Sequence, residues 1–318
     1  MAINVEKTEI KPQTAIRLDK ALAQVFPQYT RRLFRRWIEQ GSVWVNNKRI
    51  RKQGFILHPE QTYTILFYPI DLTPIHRYLS ALNWEQRILY QDSAILAINK
   101  PAGINAYPTP YAVSDTIFYY LQHKGLLDRS ARPFHRLDRP VSGLMVIPIT
   151  HKAAADLNRQ LAEKSITKYY LALVHGIPKQ DSWEIQGYIQ APTPSYPSAR
   201  FFPTTKRGAK FSHTRFHFIW KAPTSNLSLI LAIPITGRTH QIRLHLQVSG
   251  HPIVNDTRYG GTILDTASPF PFIFLHHTAM SFSHPHYRKT MTLQAPLPEY
   301  FYRWIPADLS WPLPEFNQ

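Results

Sequence analysis

The residues with chemical potential fall into three clusters, each beside a turn or a strand end, where sites are usually built. In the first, His135-Arg136-Leu137-Asp138-Arg139-Pro140-Val141-Ser142-Gly143 packs charge against turn residues and runs into the apolar strand Leu144 to Ile147. A single carboxylate stands there between Arg136 and Arg139, with His135 nearby. Positive neighbours favour its ionised form. An ionised Asp138 can act as a nucleophile or as a base. The same residues could also form an ion-paired loop that staples a sheet, a role worth little when exposed.

The second cluster is Thr236-Gly237-Arg238-Thr239-His240-Gln241-Ile242-Arg243-Leu244-His245-Leu246, continuing to Gly250-His251-Pro252. Ile242 and Leu246 mark the buried face of a helix, and Arg243 lies beside it. A guanidinium drawn inward needs a partner, and Asp138 would satisfy it. His240, His245 and His251 match no metal-ligand spacing, so they are expected as rim or hydrogen-bonding groups and no metal is expected. The third cluster is Lys168-Tyr169-Tyr170-Leu171-Ala172-Leu173-Val174. Side chains alternate along a strand, which puts Tyr170 and Ala172 on one face and Tyr169 and Leu171 on the other. One tyrosine then packs in the core. The other can stack on a nucleobase, worth about 1–3 kcal/mol.

These clusters sit in a basic chain. Over 318 residues there are 37 Lys+Arg against 20 Asp+Glu, a formal charge of +17. Such a field favours a polyanionic partner, nucleic acid or an anionic membrane. No apolar run approaches the roughly 18–20 residues of a membrane span. Met1 to Ala15 lacks the apolar centre of a secretory signal, so a cytoplasmic location is expected. The absence of cysteine excludes disulfides, thiolate metal sites and the zinc chemistry of most base deaminases.

Residues 16–67 read as one compact unit. Leu18, Leu22, Val25 and Phe26 have helical spacing, and Pro27 ends that segment. Thr30 can cap a second helix carrying Leu33, Trp37 and Ile38, with Gly41 at its end. Val43 and Val45 alternate, Asn46-Asn47 make a turn, and Tyr63 to Phe67 is a closing strand. Arg31, Arg32, Arg35, Arg36, Lys48, Arg49, Arg51 and Lys52 surround the lone acid Glu39. Arg31 shares a helix face with Arg35, and Arg32 with Arg36. Those guanidinium groups repel unless anions lie between them, which points to phosphate.

Residues 68–82 read as a linker, residues 1–15 as an N-terminal extension, and 306–318 as a C-terminal tail. From Trp84 the pattern becomes short strands with few helices: Ile95 to Ile98, a helix Ser114 to Gln122, and a helix capped by Thr150. Then follow the strand Tyr169 to Val174, the strand Leu227 to Ile235, and a helix ending near Gly250. Ala191 to Thr205 reads as a loop carrying Arg200, with Lys206, Arg207 and Lys210 just beyond. Such a pattern suits an α+β fold, a mixed sheet with helices on its faces.

Two resemblances follow from these motifs. Arg17-Leu18-Asp19-Lys20-Ala21-Leu22 with Thr30 to Asn47 resembles the S-four RNA-binding domain. Asn99-Lys100-Pro101-Ala102-Gly103, His135 to Leu144, Lys168 to Ala172, Thr236 to Leu246, Asp256 to Gly260 and Ala295 to Pro298 resemble, in this order, the RluA-type RNA pseudouridine synthases. That resemblance implies a catalytic domain over 83–305 with a mixed, mainly antiparallel sheet. It also implies Asp138 as the catalytic aspartate, Tyr170 stacking on the target base, and Arg243 paired with Asp138. Arg136 would enter the RNA helix at the vacated base; His135, Arg238 and His240, from the same polar clusters, are expected to contact RNA. Two positions depart from the family pattern: Val141 replaces the usual Thr, and Tyr107-Pro108 replaces a His-Pro pair.

The implied reaction breaks the bond from ribose to ring nitrogen and rejoins the uracil through carbon five. It gains and loses no atoms, so no cofactor is expected. Asp138 could attack the anomeric carbon or take the proton beside it, and both routes stay open. Structured RNA is the implied partner, chiefly large-subunit ribosomal RNA with transfer RNA as the alternative, acted on by a monomer. A non-catalytic RNA-binding or assembly factor is the competing reading. A glycosidase would need a second carboxylate.

Overall fold

The computed structural model describes residues 6–67, 73–108, 116–128, 131–193, 196, 198–266 and 270–311. The chain divides into two compact units, residues 1–82 with 105–126, and residues 83–104 with 127–318.

The first unit begins with strand β1 (Glu6–Ile10), followed by β2 (Ile16–Arg17), helix α1 (Leu18–Val25) and helix α2 (Arg31–Gln40). Thr30 caps α2 by accepting from the Leu33 amide at 3.3 Å. Gly41 ends it in the left-handed region at φ 77, a conformation that glycine adopts freely. Strands β3 (Val43–Val45), β4 (Lys48–Ile50), β5 (Ile56–Leu57) and β6 (Tyr63–Phe67) follow, and a four-stranded sheet runs β1-β6-β3-β4. Asn46 and Asn47 both take positive φ, as a two-residue hairpin turn demands. Leu18, Leu22, Phe34, Trp37 and Ile38 from the helices pack on Val43, Val45, Ile65 and Phe67.

Two expectations change here. Glu6–Ile10 is no loose extension but an edge strand paired antiparallel with Tyr63–Phe67. Its charged, half-exposed alternation gave little apolar signal. The proline-containing stretch read as a linker holds helix α3 (Thr73–Ala81), which buries Ile75 and Leu79; residues 68–72 lie outside the described residues. Helix α4 (Ile117–His123) starts after a Thr116 cap. Ser114, where that helix was expected to begin, also lies outside the described residues.

Asp19 is fully buried at the start of α1, and the Nε atoms of Arg17, Arg31 and Arg35 donate to it at 2.9, 2.8 and 2.9 Å. The chain itself therefore supplies an anion between two of the expected phosphate-binding arginines. Burial alone would raise the Asp19 pKa, but hydrogen bonds from the three arginines outweigh it and hold the carboxyl at about 2. A carboxyl with a depressed folded-state pKa stabilises above its unfolded value and loses that contribution as pH falls. Because the three guanidinium groups are nearly half exposed, the contribution is about 1–2 kcal/mol, complete above pH ~4 and lost as pH falls through ~2. In urea denaturation, the stability gap between the wild-type chain and Asp19→Asn is expected to close over that window. A gap independent of pH would show that ion pairing does not stabilise this unit.

The second unit holds a ten-stranded sheet of strands β7 (Ile88–Gln91), β8 (Ile95–Lys100), β9 (Ser142–Pro148), β10 (Thr167–His175), β11 (Ser182–Gln190), β12 (Arg200–Phe202), β13 (Lys210–Lys221), β14 (Leu227–Pro234), β15 (Leu275–Ser283) and β16 (Thr290–Gln294). Its order is β12-β11-β13-β14-β10-β15-β9-β8-β7, with β16 beside β15. The β9–β15 pairing is parallel and the other pairings are antiparallel. This is the mixed, mainly antiparallel sheet implied by the resemblance. Helix α5 (His151–Ala162) starts at a Thr150 cap and buries Ala153 and Leu157. Helix α6 (Gln241–Val248) buries Ile242 and Leu246 in the main core.

At the parallel junction, Gly143 pairs with His277 at φ +114, and a Cβ there would lie 2.4 Å from the His277 carbonyl oxygen. Only glycine fits. The loop expected over 191–205 contains strand β12, in which the guanidinium of Arg200 lies 3.7 Å from the Tyr196 ring centre. The stretch expected as a tail from Pro306 packs Leu309 and Trp311 on the core; residues 312–318 lie outside the described residues.

Candidate active site

Two backbone anchors hold the loop that carries Asp138. Gly103 donates its amide to the Arg139 carbonyl at 2.7 Å. Arg139 Nε returns a hydrogen bond to the Gly103 carbonyl at 2.8 Å. Beneath them Lys100 is fully buried, its ammonium donating to the carbonyls of Pro101 and Ile104 at 2.7 and 2.8 Å. Burial pushes the Lys100 pKa down to about 7, against the raising pull of Asp138. After Asp138 the chain turns back through a bond from the Val141 amide to the Asp138 carbonyl at 3.0 Å, then enters β9.

The facing wall is the turn before α6. Gln241 fixes that turn by accepting from Thr236 Oγ1 at 2.7 Å and the Arg238 amide at 3.0 Å, while donating to the His213 carbonyl and Thr214 Oγ1, each at 2.9 Å. His240 takes the left-handed conformation at φ 58, an uncommon state for a residue with a side chain. One helical turn later, Arg243 is buried with its guanidinium shared by two acids. Its Nε and Nη2 donate to Asp256 at 2.6 and 2.7 Å, and its Nη1 donates to Asp138 Oδ2 at 3.2 Å. His240 Nε2 lies 3.6 Å from the same Oδ2, and its Nδ1 is 2.6 Å from the Tyr259 hydroxyl. Oδ1 of Asp138 therefore has no hydrogen bond among the described residues.

Tyr170 enters from β10, where a bulge between Tyr169 and Tyr170 shifts the register against β15. Its ring stacks on His277 at 4.4 Å and 16°. Burial, and then the Asp138 charge, raise the Tyr170 pKa well above its usual value. His277 donates Nδ1 to the Leu144 carbonyl, leaving Nε2 buried and without a partner among the described residues. Burial lowers the His240 pKa to about 4, even though Asp138 opposes the shift. His135, whose Nε2 accepts from the Val146 amide, is lowered to about 3, first by burial and then by Lys168. Both imidazoles are neutral near pH 7.

Asp138, Tyr170, Arg243, His135, Arg136, Arg238 and His240 line one cavity of about 530 Å³. The other expected site residues, Arg31, Arg32, Arg35, Arg36, Lys48 and Arg49, belong to the first unit. His245 is turned to Ser212 and Thr214, and His251 to the His175 carbonyl.

Asp256, expected only as the first residue of the Asp256 to Gly260 motif, is the principal partner of Arg243. A guanidinium has five donors, so a buried one calls for more oxygens than Asp138 can offer, and that was the available signal. Asp256 is not a spare acid of the glycosidase type, because Arg243 occupies both its oxygens. With Arg243 and Asp256 only 6% and 1% exposed, Asp256→Asn is expected to destabilise the chain by roughly 3–5 kcal/mol, as breaking a buried pair does. Chemical denaturation measures this. A loss below about 1 kcal/mol, the range of an exposed pair, would mean that Asp138 alone neutralises Arg243.

A family model described as RNA pseudouridylate synthase matches residues 94–248, and an S4 domain model matches residues 16–62. Ribosomal large subunit pseudouridine synthase C of Haemophilus ducreyi is 34% identical over 294 residues, which cover 88% of each chain. Ribosomal large subunit pseudouridine synthase D of Nitrosomonas europaea is 31% identical over 310 residues, covering 93% of this chain and 85% of that one. Among solved structures, human RNA pseudouridylate synthase domain containing 1 superposes with a TM-score of 0.56 at 25% identity, covering 71% of this chain and 90% of that one.

Proposed function

The chain belongs to the RluA-type RNA pseudouridine synthase family, and from that premise we propose that it converts uridines of large-subunit ribosomal RNA to pseudouridine with Asp138 as the reacting carboxylate. The observation that carries this reading is the 3.2 Å ion pair between Arg243 and Asp138 on the wall of a cavity that Tyr170 also lines. The substrate class follows the names of the two bacterial relatives, and its cytoplasmic location follows from that substrate.

The target bond is out of reach inside a helix, so the uridine must leave its stack. One face of Tyr170 lies on His277, and its other face is the platform for the extruded uracil. Arg136, exposed at the cavity rim, would fill the gap left in the RNA. Arg243 holds Asp138 through Oδ2 and leaves Oδ1 to act on the sugar, either at the anomeric carbon or at the neighbouring proton. Tyr170, kept protonated by burial, stacks on the base and keeps its hydroxyl proton rather than serving as the resting base. The uracil turns, the carbon–carbon bond forms, and the proton on carbon five moves to the ring nitrogen through solvent. No atom is gained or lost.

The test uses RNA from cells with and without the protein, treated with a pseudouridine-selective reagent and mapped by mass spectrometry. Specific large-subunit sites should disappear with the gene and return with the wild type, but not with Asp138→Asn. The purified variant should lose conversion by more than about 10³-fold while keeping its RNA affinity. Turnover by Asp138→Asn within about tenfold of the wild type would remove this residue from the chemistry, and loss confined to transfer RNA would overturn the substrate class.

Arg32 and Arg36 make no ion pair among the described residues, unlike Arg31 and Arg35. Changing both Arg32 and Arg36 to Ala should lower the salt dependence of RNA binding by about 1.4–1.8 in log–log slope, the value for two lost phosphate contacts. An unchanged slope would make them a solvated face.

A further inference from the structure

The cavity extends beyond the reacting groups. Leu161, Lys164, Ile166 and Lys168, from the end of α5 and the start of β10, line it together with Asp138 and Tyr170. Asp138 is the one carboxylate among the lining residues, and Arg243 and His240 already engage it. Lys164 and Lys168 make no ion pair and no side-chain hydrogen bond among the described residues.

A charge drawn from water needs a counter-charge. Lys168 is only partly exposed, and burial lowers its pKa. Its Nζ lies 3.7 Å from the position a Gly237 Cβ would take, and its charge acts on His135 and His277. The Asp138 charge acts instead on Lys100, Tyr170, His240 and Arg243. The cavity wall thus carries, besides the paired carboxylate, an ammonium with no ion pair among the described residues.

Lys164 adds a second feature. It closes α5 in the left-handed region at φ 58, where glycine would be unstrained, with its amide bonded to the Leu161 carbonyl at 3.3 Å. Lys164 thus places a long cationic side chain on the cavity wall from a strained backbone position. Beside it, Leu161 is half-buried and Ile166 buried, giving that part of the wall an apolar surface.

We propose that this part of the cavity is a subsite for the nucleotide next to the target uridine, with Lys168 and Lys164 holding its phosphate and Leu161 and Ile166 receiving its base. The inference rests on the pseudouridine synthase reading and deepens it: the enzyme takes two adjacent nucleotides out of the helix. Preferred targets are then uridines whose neighbour is unpaired or weakly stacked, because removing that neighbour opposes binding least.

The probe is a synthetic RNA hairpin around a mapped target uridine. Copies carry an uncharged methylphosphonate at one flanking phosphate or an abasic residue at one flanking position. Dissociation constants and single-turnover rates are measured for the wild-type chain, Lys168→Met and Lys164→Ala. Lys168→Met should weaken binding about tenfold, and one particular methylphosphonate should weaken wild-type binding equally. Combined, the two changes should cost no more than either alone. An abasic residue beside that same phosphate should weaken wild-type binding and leave the other flank indifferent.

Losses that multiply at both phosphates would show that Lys168 holds neither, which overturns the subsite. Lys164→Ala, at an exposed position, carries the same cycle if Lys168→Met does not fold. A wild-type chain that binds the hairpin with this pattern and converts nothing would sink the functional reading while leaving the subsite standing.

Discussion

Arg243 carries a buried charge whose neutralisation is divided between two acids of different accessibility. Asp256 takes the Nε–Nη2 edge in a bidentate pair, the strong geometry for guanidinium and carboxylate. Asp138 takes the remaining corner through one oxygen. This asymmetry lets Arg243 remain buried whether or not Asp138 changes partners, because Asp256 alone supplies a full countercharge. The fold serves that arrangement on both sides. Gln241 ties the turn before α6 to β13. Left-handed Asn255 precedes Asp256, and the Gly261 amide returns to the Asp256 carbonyl at 2.9 Å.

The Asp138 loop is held by a different kind of force. Its anchors are backbone bonds between Gly103 and Arg139, reinforced by an ammonium group that faces carbonyl oxygens rather than an acid. A buried ammonium without a carboxylate is costly, and the field of Asp138 offsets part of that cost. The Asp138 charge therefore helps to keep Lys100 in place, and the Lys100 ammonium, 3.5 Å from the Arg139 carbonyl, steadies the loop that presents it. Gly143 completes the constraint, since the parallel junction with β15 leaves no space for a side chain. The position of His277 under Tyr170 is set by that same junction.

Much of this was readable in the residues, and the gaps have physical causes. Thr30, Gly41, Thr150 and the Asn46-Asn47 turn announced their elements because capping and turn geometry are local. The pairing of Arg243 with Asp138 followed from the rule that a buried charge needs a partner. Asp256 escaped because one partner seemed enough, and nothing local shows how many donors a guanidinium turns inward. Strand β1 escaped because alternating charges at a sheet edge look like a solvated leader. The long strands β11 and β13 escaped because half-exposed strands interleave polar and apolar residues without a clean apolar run. His277 gave no signal at all, since its role depends on a neighbour in space.

Asp19 and Asp138 show how the same ingredients separate into two roles. Each is a carboxylate beside arginines in a short basic motif. Asp19 is wholly enclosed, and three Nε donors hold its two oxygens. Both its oxygens are engaged inside the protein, so its charge organises three guanidinium groups whose side chains stay nearly half exposed. Asp138 is 18% exposed, and its contacts converge on Oδ2. Its charge is stabilised without its second oxygen being consumed. A carboxylate surrounded on all sides lowers its own reactivity along with its pKa; one held from a single side keeps a nucleophilic or basic edge open to the cavity. Counting the arginines around an acid does not distinguish these cases. The number of its oxygens left unbonded does, and of these two acids only Asp138 keeps an oxygen open to the cavity.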